Sequence, residues 1–539
     1  MGAAVQPAWV RWLMPSVSDL IFLSVLGVLA FTTLSLRLLG DAGIGWHIRT
    51  GQLILATHKI PRVDPFSSSM GGQPWFAWEW LYDAMVGWLE SVAGLNGVVV
   101  FTALIIAGAF SWAFRLLVRR GTNLALALIL ALLAASASMI HFLARPHVVS
   151  WLFTMVWFWA LESSKESYNS DRQPWWLVWL LPLTMLVWVN VHGGFLVGFV
   201  LLGIYWVCIA WEWASLYLTV TEGQFEDALR KIRAGRRLWN LSLAGLLSAA
   251  ATVVNPNGLR LHVHIYRYLS NRFLMNHIEE FQSPNFHYVA QKCFAILLLL
   301  TLIALAVKGR ETAASQILVI VFAVYAGLYA ARNIPVSSLL LILLIGPWLS
   351  EGMEELAARF LVQRSGPSPD RASLPFLTRM NAIELSLHGH VWPVAASVLT
   401  CLIAAHGGKL GGTPVMDAHF DASRFPVAAV DYLESQNVQG PILGPDNWGG
   451  YFIYRFYPRI RVVVDDRHDF YGEEFLKSYL KMIHAEPGWE DFIRAHHSRC
   501  VVVPRNSALT SILSEAAGWH MFYSDEVAVI FERSRARQD

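Results

Sequence analysis

Three acidic residues stand in one polar segment of an otherwise apolar chain. Asp41 follows the first hydrophobic run, and Asp64 and Glu79 come before the next one. A carboxylate is costly to hold near hydrocarbon, so an acidic residue at the mouth of a membrane helix indicates function. Such a group can take a proton from a hydroxyl or hold a divalent cation. The segment is therefore where we expect chemistry, with Asp41 as the first candidate.

Each of these carboxylates also has a structural explanation. Asp41 can cap the helical turn that follows it. Asp64 precedes Pro65, and an Asp-Pro pair is a common start of a turn in which the Asp bonds its own backbone. Glu79, between two tryptophans, is the weakest of the three acidic candidates. His47 lies near Asp41 in the sequence, where it is expected either to bind substrate or to hydrogen-bond a loop carbonyl.

Basic and amide side chains recur at three later turns between hydrophobic runs: Arg145 with His147, then His192, then Arg332 with Asn333. Cations in such places suit an anionic group, above all a phosphate. The structural alternative is that they snorkel to lipid head groups or satisfy the turn itself. We therefore predict that these five residues bind substrate.

The elements that position these residues are hydrophobic helices. Of the 539 residues, 55% are hydrophobic and 15% are charged, a composition too apolar for a soluble protein of this length. About eleven runs approach the length that crosses a bilayer, near 18–39, 96–117, 122–140, 147–163, 175–190, 194–213, 238–255, 289–307, 314–331, 334–350 and 390–406. Each must be helical, because hydrocarbon offers open backbone groups no partner. The first run lacks the features of a cleaved signal peptide and is expected to be retained.

Loop charge predicts the orientation of these spans. Lys and Arg concentrate in alternate loops, which places those loops and the N-terminus inside and the C-terminus outside. The candidate residues then all lie on the outer side. Within the first outer loop, apolar residues between 75 and 90 recur at helical spacing, which predicts a helix along the membrane interface. The inner segments 163–174 and 351–377 are expected to be a polar loop and a linker.

From about residue 407 the composition becomes that of a soluble domain. Apolar runs typical of strands (441–443, 461–464, 500–503 and 527–531) alternate with helix-like segments (426–435, 473–484, 488–496 and 506–517), which predicts a small α/β domain. Asp465 and Asp466 end one run, and we predict a structural role for them, because neighbours on a strand face opposite ways. The predicted organisation is a transmembrane domain, 1–406, with its first outer loop at 40–95, and an extracytoplasmic domain, 407–539.

Missing motifs argue against several function classes. The sequence has no GxSxG, no GxxxxGK[ST] and no GxGxxG after a predicted strand, which disfavours serine hydrolases and nucleotide-driven transporters. The four cysteines lack CxxC or Cys/His spacing, so neither a disulfide framework nor a zinc site is predicted. The net charge of +2 gives no indication of nucleic acid, and no nucleic-acid partner is expected.

The arrangement resembles the GT-C superfamily of polytopic glycosyltransferases and, more closely, a large group of uncharacterised bacterial membrane proteins related to it. The resemblance is carried by Asp41, Trp46-His47, Gly51, Pro61, Asp64 to Ser67, Trp75, Glu79-Trp80-Leu81, Arg145-Pro146-His147, His192-Gly193-Gly194, Asn255 to Gly258, Arg332-Asn333, Gly449-Gly450-Tyr451 and Asp466-Arg467. It implies an α-helical polytopic fold with an extracytoplasmic α/β domain, in the bacterial inner membrane.

The resemblance also implies transfer of a sugar from a polyprenyl-phosphate donor to a glycan, lipid or protein acceptor on the outer face. Asp41 would be the base in a single inverting displacement, with Asp64 or Glu79 orienting it or sharing a divalent cation such as Mg or Mn. The cations of the later turns would stabilise the departing phosphate. The alternative is a non-catalytic scaffold or lipid-binding subunit of a larger complex, for which Asp41 need not share a cavity with those cations. A transporter is a third option, disfavoured because no charges lie at mid-span depth.

Overall fold

The computed structural model describes residues 8–166, 175–219, 225–365 and 373–534. Apolar helices form a bundle, and a smaller region of helices and strands, residues 407–534, packs on one end of it. We call residues 407–534 the C-terminal region.

The first half of the bundle consists of α1 (Ala8–Leu13), α2 (Val17–Phe31), α3 (Leu34–Leu38), α4 (Gly43–Thr57), α5 (Trp80–Arg119), α6 (Leu124–Ser138), α7 (His147–Glu166), α8 (Leu177–Val191), α9 (Leu196–Thr219) and α10 (Phe225–Ala251). The second half consists of α11 (Arg260–Ser270), α12 (Arg272–His277), α13 (Val289–Lys308), α14 (Ala314–Tyr329), α15 (Ile334–Ser365), α16 (Ser373–Ser386) and α17 (Val391–Ala405). A helix lies at each of the predicted runs. Among the described residues, 6 helices are long and apolar enough to cross a membrane, or up to 7 if the bent pair α16–α17 is one span. These helices indicate a multi-pass membrane protein.

Three predicted boundaries in the bundle differ from the structure. The first run does not form one helix to residue 39, because α2 ends at Phe31 and α3 begins at Leu34. At the break, the Thr32 hydroxyl donates to the Val28 carbonyl and accepts from the Leu34 N–H. The helix predicted over residues 75–90 begins at Trp80 and joins the following span within α5, with one break at Gly94, where φ is 61°.

The third difference is the predicted linker, 351–377, which is wrong over much of its length. Helix α15 continues through it to Ser365, and α16 begins at Ser373. Lys308 pairs with Glu351 and Glu355, which holds this extension of α15 beside the end of α13. Residues 366–372, and residues 167–174 of the predicted polar loop, lie outside the described ranges.

The C-terminal region contains a four-stranded sheet. Its helices are α18 (Val427–Ser435), α19 (Asp446–Phe456), α20 (His468–Tyr471), α21 (Glu473–Ile483), α22 (Trp489–Ala495) and α23 (Ala508–Glu515). Its strands are β1 (Lys409–Leu410), β2 (Thr413–Pro414), β3 (Ile442–Leu443), β4 (Cys500–Pro504), β5 (Trp519–Ser524) and β6 (Ala528–Arg533). The sheet has the order β3-β4-β6-β5, with β3 and β4 parallel and the other pairs antiparallel.

Two features of this region differ from the expectation. The run 461–464 forms only isolated bridges, in which Val462 pairs with Ser67 of the first loop as well as with Ile442. That segment therefore joins the loop to the C-terminal region. Helix α19 and strand β5 were not predicted; the paired glycines Gly449 and Gly450 lower the helix propensity of α19.

The turns that carry the candidate residues meet at one end of the bundle, which we call the loop face. It consists of residues 40–79, 141–147, 190–194, 255–287 and 331–333, covered by the C-terminal region. Hydrogen bonds join these segments and the helix ends next to them: Ala144 N–H donates to the Leu38 carbonyl, and Ala331 N–H donates to the Gln282 carbonyl. The Asn190 amide donates to the Val254 carbonyl.

Helices α4 and α19 hold the C-terminal region to the loop face by close backbone approach. A Cβ atom at Gly45 would overlap the Gly450 carbonyl, and one at Gly450 would overlap the Ala42 carbonyl. Both positions therefore require glycine. This contact fixes where residues of the C-terminal region stand relative to the first loop.

Candidate functional site

An arginine between two aspartates forms the centre of the loop face, and we call Asp41, Arg145 and Asp466 the first cluster. Arg145 Nε lies 3.5 Å from Asp41 Oδ2, and Arg145 Nη1 lies 3.1 Å from Asp466 Oδ2. The three side chains come from the turn before α4, the hairpin before α7 and the C-terminal region. They remain 15–33% exposed, so the group is open to a ligand. Asp41 Oδ1 also accepts a 2.8 Å hydrogen bond from the N–H of Gly43, the first residue of α4. Asp41 therefore supports the start of this helix and takes part in the site.

Trp46, one turn into α4, connects this centre to a second polar group. Its Nε1–H donates to Asp466 Oδ1 at 2.9 Å, and its ring stacks on the ring of His47 with centroids 3.6 Å apart. The Arg145 guanidinium lies 5.9 Å from the Trp46 ring. Trp46 therefore separates two clusters of ionisable side chains while touching both.

The second cluster contains His47, Asp83 and Glu79. His47 Nδ1 lies 2.5 Å from Asp83 Oδ1, and His47 Nε2 lies 3.9 Å from Glu79 Oε2. The short contact with Asp83 means that a proton lies between Nδ1 and the carboxyl. That Nε2 atom is buried without a hydrogen-bond partner among the described residues. It faces Glu79 beside a small cavity, also lined by Trp75 and other aromatic side chains, with room for about one water molecule.

His192 approaches the other carboxyl oxygen of Glu79. Its Nε2 lies 3.9 Å from Glu79 Oε1. The Gly194 N–H donates to its Nδ1 at 3.0 Å, and Ser150 Oγ lies 2.8 Å from the same atom. With Nδ1 accepting, the neutral ring carries its proton on Nε2. Glu79 thus lies between the Nε2 atoms of His47 and His192.

Burial keeps the second cluster largely uncharged. It raises the pKa of Glu79 to about 8, although Arg145 acts in the opposite direction, so this carboxyl is protonated at neutral pH. Burial, followed by the positive charge of Arg145, lowers the pKa of His47 well below its ordinary value. In the first cluster, burial also raises the pKa of Asp466 to about 6, again opposed by Arg145.

Asp64 lies in a different, fully buried ion pair. Its Oδ1 is 2.8 Å from Arg467 Nη1, and Arg467 also binds Asp465 at 2.7 Å. The guanidinium carbon stands 4.7 Å from the ring centroid of Trp75, and the Tyr471 hydroxyl donates to Asp465. These contacts join the first loop to the C-terminal region, and they do not bring Asp64 to Asp41.

The remaining predicted residues form a neighbouring group at the turn before α15. Arg332 pairs with Glu280 at 3.1 Å, and the Asn333 amide donates to the Ala326 carbonyl at the end of α14. His147 Nε2 lies 2.9 Å from the His141 carbonyl, and His141 Nε2 in turn lies 3.2 Å from the Ala331 carbonyl. The positive charge of Arg332 lowers the pKa of Glu79, so this turn acts electrostatically on the same cavity.

Three site residues were not among the sequence candidates: Trp46, Asp83 and Asp466. Asp83 had a usable signal, since it lies four residues after Glu79 on the polar side of the helix predicted there. Asp466 was expected to be structural together with Asp465. The two carboxylates in fact point to different partners, Asp465 to Arg467 and Asp466 to Arg145.

The sequence suggested that Asp41 could share a divalent cation with Asp64 or Glu79. No group of three or more His, Cys, Asp or Glu residues in the described ranges is placed to hold a metal ion. Asp41, the candidate ligand, is instead paired with Arg145.

An apolar cavity lies near the site. Its volume is about 230 Å³, and it is lined by residues of α2, α3 and the turn after α6, among them Val28, Leu38 and Phe142, with Arg37 as its cation. The carbonyl of Leu38 accepts a hydrogen bond from Ala144 N–H, next to Arg145 in the chain. The lining of the cavity is therefore bonded to the hairpin that carries Arg145.

Comparison with known proteins identifies the fold. No protein-family model matches the chain, and no curated protein matches its sequence. The oligosaccharyltransferase of Archaeoglobus fulgidus, tethered to an acceptor peptide, is 11% identical over 96% of this chain and 73% of its own, with a TM-score of 0.54. AglB, an oligosaccharyltransferase of the same organism, with an inhibitory peptide and a dolichol-phosphate is 10% identical over 97% and 74%, also with a TM-score of 0.54. The chain thus shares the fold of these archaeal oligosaccharyltransferase structures.

Proposed function

We propose that this protein is a membrane glycosyltransferase that moves a sugar from a polyprenyl-phosphate donor to an acceptor on the outer face of the membrane. The observation that carries the proposal is the contact of Asp41 with Arg145. An acid from the first loop and a cation from a later hairpin lie side by side, an arrangement that a catalyst requires and a scaffold does not. The fold, shared with an oligosaccharyltransferase, supports the same reaction class.

The donor phosphate would bind at Arg145. A guanidinium can donate two parallel hydrogen bonds to a phosphate and stabilise the negative charge that develops as the sugar leaves. The apolar cavity of α2 and α3 suits the prenyl chain, since its lining is almost entirely apolar and includes Leu38, which is bonded to the hairpin of Arg145. The AglB structure contains a dolichol-phosphate, which supports a lipid-linked donor for this chain.

Asp41 would act as the base. Its carboxylate would take the proton from the acceptor hydroxyl while the acceptor oxygen attacks the anomeric carbon and the lipid phosphate departs, which inverts that centre. Glu79, neutral and set between His47 and His192, would orient the acceptor. Asp64 is better explained as structural, because its carboxylate is committed to Arg467.

Eleven crossings complete the proposed topology, with the N-terminus inside and the C-terminal region outside, in a bacterial inner membrane. This requires the shorter apolar helices α8 and α14, together with α7 and α10, to cross as well. Alternating loop charge supports it. In this topology the loop face lies on the outer side of the membrane, where the proposed enzyme would use its lipid-linked sugar donor.

A non-catalytic scaffold is the second candidate, and one observation favours it. The charge of Arg145 is already balanced by two carboxylates, Asp41 and Asp466. A binding subunit that uses these ion pairs to hold its C-terminal region would show the same arrangement.

Sugar transfer separates the two candidates. The purified protein is given a panel of radiolabelled polyprenyl-phosphate sugars, in parallel with Arg145→Gln and with Arg119→Gln, an exposed arginine at the far end of α5. We expect transfer by the wild type and by Arg119→Gln, and a loss of about 100-fold or more in Arg145→Gln, since one oxyanion donor is removed. Unimpaired transfer by Arg145→Gln would refute the role of Arg145. Absence of transfer across the panel would favour the scaffold.

A further inference from the structure

Two hydrogen-bond donors of the helical bundle converge on one carboxylate of the C-terminal region. Trp46 Nε1–H donates to Asp466 Oδ1 at 2.9 Å, and Arg145 Nη1–H donates to Asp466 Oδ2 at 3.1 Å. Each carboxylate oxygen therefore receives one N–H group. A phosphate presents a similar pair of anionic oxygens, and charge-assisted bonds of this kind are among the strong ones.

We propose that Arg145 and Trp46 form the binding site for a phosphate group, that of the lipid donor, and that the Asp466 carboxylate competes with the phosphate for it. This inference rests on the proposed function and adds two residues to it. Trp46 becomes a phosphate ligand, and Asp466 becomes the group that sets the affinity of the site.

Asp466, and not Asp41, is the carboxylate that releases its hydrogen bonds when phosphate binds. Asp41 is tied to the start of α4 by the Gly43 N–H. Asp466 stands near the like charges of Asp41 and Asp465, and these together with burial disfavour its ionised form. His468 and Arg145 are the positive groups that act in the opposite direction.

The backbone of Asp466 need not move for the exchange. The adjacent residue Arg467 is held by Asp64 and Asp465, and Arg467 N–H also donates to Asp465. A rotation of the Asp466 side chain is therefore sufficient to free the donors of Arg145 and Trp46. The C-terminal region can stay docked while phosphate enters.

The competing explanation is that Asp466 only holds the C-terminal region to the bundle. It predicts the opposite effect on phosphate binding. If Asp466 only secures the C-terminal region, removing its charge loosens the loop face and weakens any ligand bound there. If it competes with phosphate, removing its charge strengthens phosphate binding. The sign of the change therefore decides between them.

The test is a binding measurement with the full chain in nanodiscs, using calorimetry and three probes: farnesyl phosphate, farnesol and inorganic phosphate. The variants are Asp466→Asn, Trp46→Phe and the double variant. Asp431→Asn is the matched control, because it removes the same charge from the exposed partner of Arg455. Thermal unfolding of each variant shows that it is folded.

We expect Asp466→Asn to bind farnesyl phosphate about tenfold more tightly than the wild type. The reason is that phosphate no longer has to break a charge-assisted hydrogen bond to the Asp466 carboxylate. Asp431→Asn should bind as the wild type does, and farnesol should show no gain. The double variant should lose the gain, because Phe keeps the ring of Trp46 but not its N–H. Binding is measured without a sugar, so it does not depend on whether transfer occurs.

Three results would overturn the proposal: equal or weaker binding of farnesyl phosphate by Asp466→Asn, no binding by either protein, or an equal gain for farnesol. A gain for inorganic phosphate that matches the gain for farnesyl phosphate would keep the anion site and refute the lipid donor as its source. A gain retained by the double variant would refute the role of Trp46.

Discussion

Arg145 carries a positive charge, as arginine does at any physiological pH, and the carboxylates around it favour that charge further. Burial lowers its pKa, but Asp41 and Asp466 raise the pKa by more, so the net shift is upward. A guanidinium also keeps a fixed planar fork that a lysine lacks. Arg145 can therefore hold a phosphate at the site without losing its proton, which is the property that the proposed leaving-group stabilisation requires.

The raised pKa of Glu79 predicts how the free energy of unfolding depends on pH. Its pKa rises from 4.5 to about 8 on burial, so folding favours its protonated form. That contribution is fully present below pH 4.5 and is lost as the pH rises through about 8. Glu79→Gln mimics the protonated form, so we expect it to equal the wild type near the acidic limit and to unfold at a higher temperature than the wild type in alkaline buffer.

Thermal unfolding across this pH range checks the prediction. Glu311→Gln, an exposed glutamate at the opposite end of the bundle, should follow the wild type at every pH. Parallel curves for Glu79→Gln and the wild type would show that Glu79 does not carry the buried proton.

Secondary-structure elements position these side chains through two contacts between the bundle and the C-terminal region. Helices α4 and α19 meet at Gly45 and Gly450. The second contact is the buried cluster in which Arg467 is shared by Asp64 and Asp465. Together they carry Asp466 to Arg145.

Asp64→Asn tests the second contact. Removing one partner of a buried ion pair costs about 3–5 kcal/mol when the other charge is left unpaired; Arg467 keeps Asp465, so we expect the lower end. The variant should unfold at a clearly lower temperature and expose the C-terminal region to limited proteolysis, whereas Asp431→Asn should not. An unchanged unfolding temperature with loss of transfer would instead make Asp64 a catalytic residue, as the sequence suggested.

The elements differed in how well the sequence predicted them. Every predicted hydrophobic run in the bundle is helical, because an apolar stretch has a strong local signal. The helices α1, α4, α11, α12 and α16 lie outside those runs and were not predicted. Helix α19 was not predicted because of its glycines, of which Gly450 is required by the contact with α4. The pairing of Asp466 with Arg145 joins residues 321 positions apart, and no local pattern records such a contact.

At the scale of the whole molecule, the site depends on both parts of the chain. Asp41 and Arg145 belong to the helical bundle, and Asp466 belongs to the C-terminal region that covers it. The fold is shared with archaeal oligosaccharyltransferase structures. The C-terminal region also limits access to the proposed phosphate site, so in the proposed function donor and acceptor would enter along the loop face.

The most direct test of the proposed enzyme is the transfer rate of Asp41→Asn beside the wild type, with a donor that the wild type uses. Asparagine also caps helices well, so it can keep the bond to Gly43 N–H and leave α4 intact. We expect transfer to fall by at least about 100-fold, as for loss of a general base, with an unchanged unfolding temperature. Transfer by folded Asp41→Asn at the wild-type rate would contradict the assignment of Asp41 as the base.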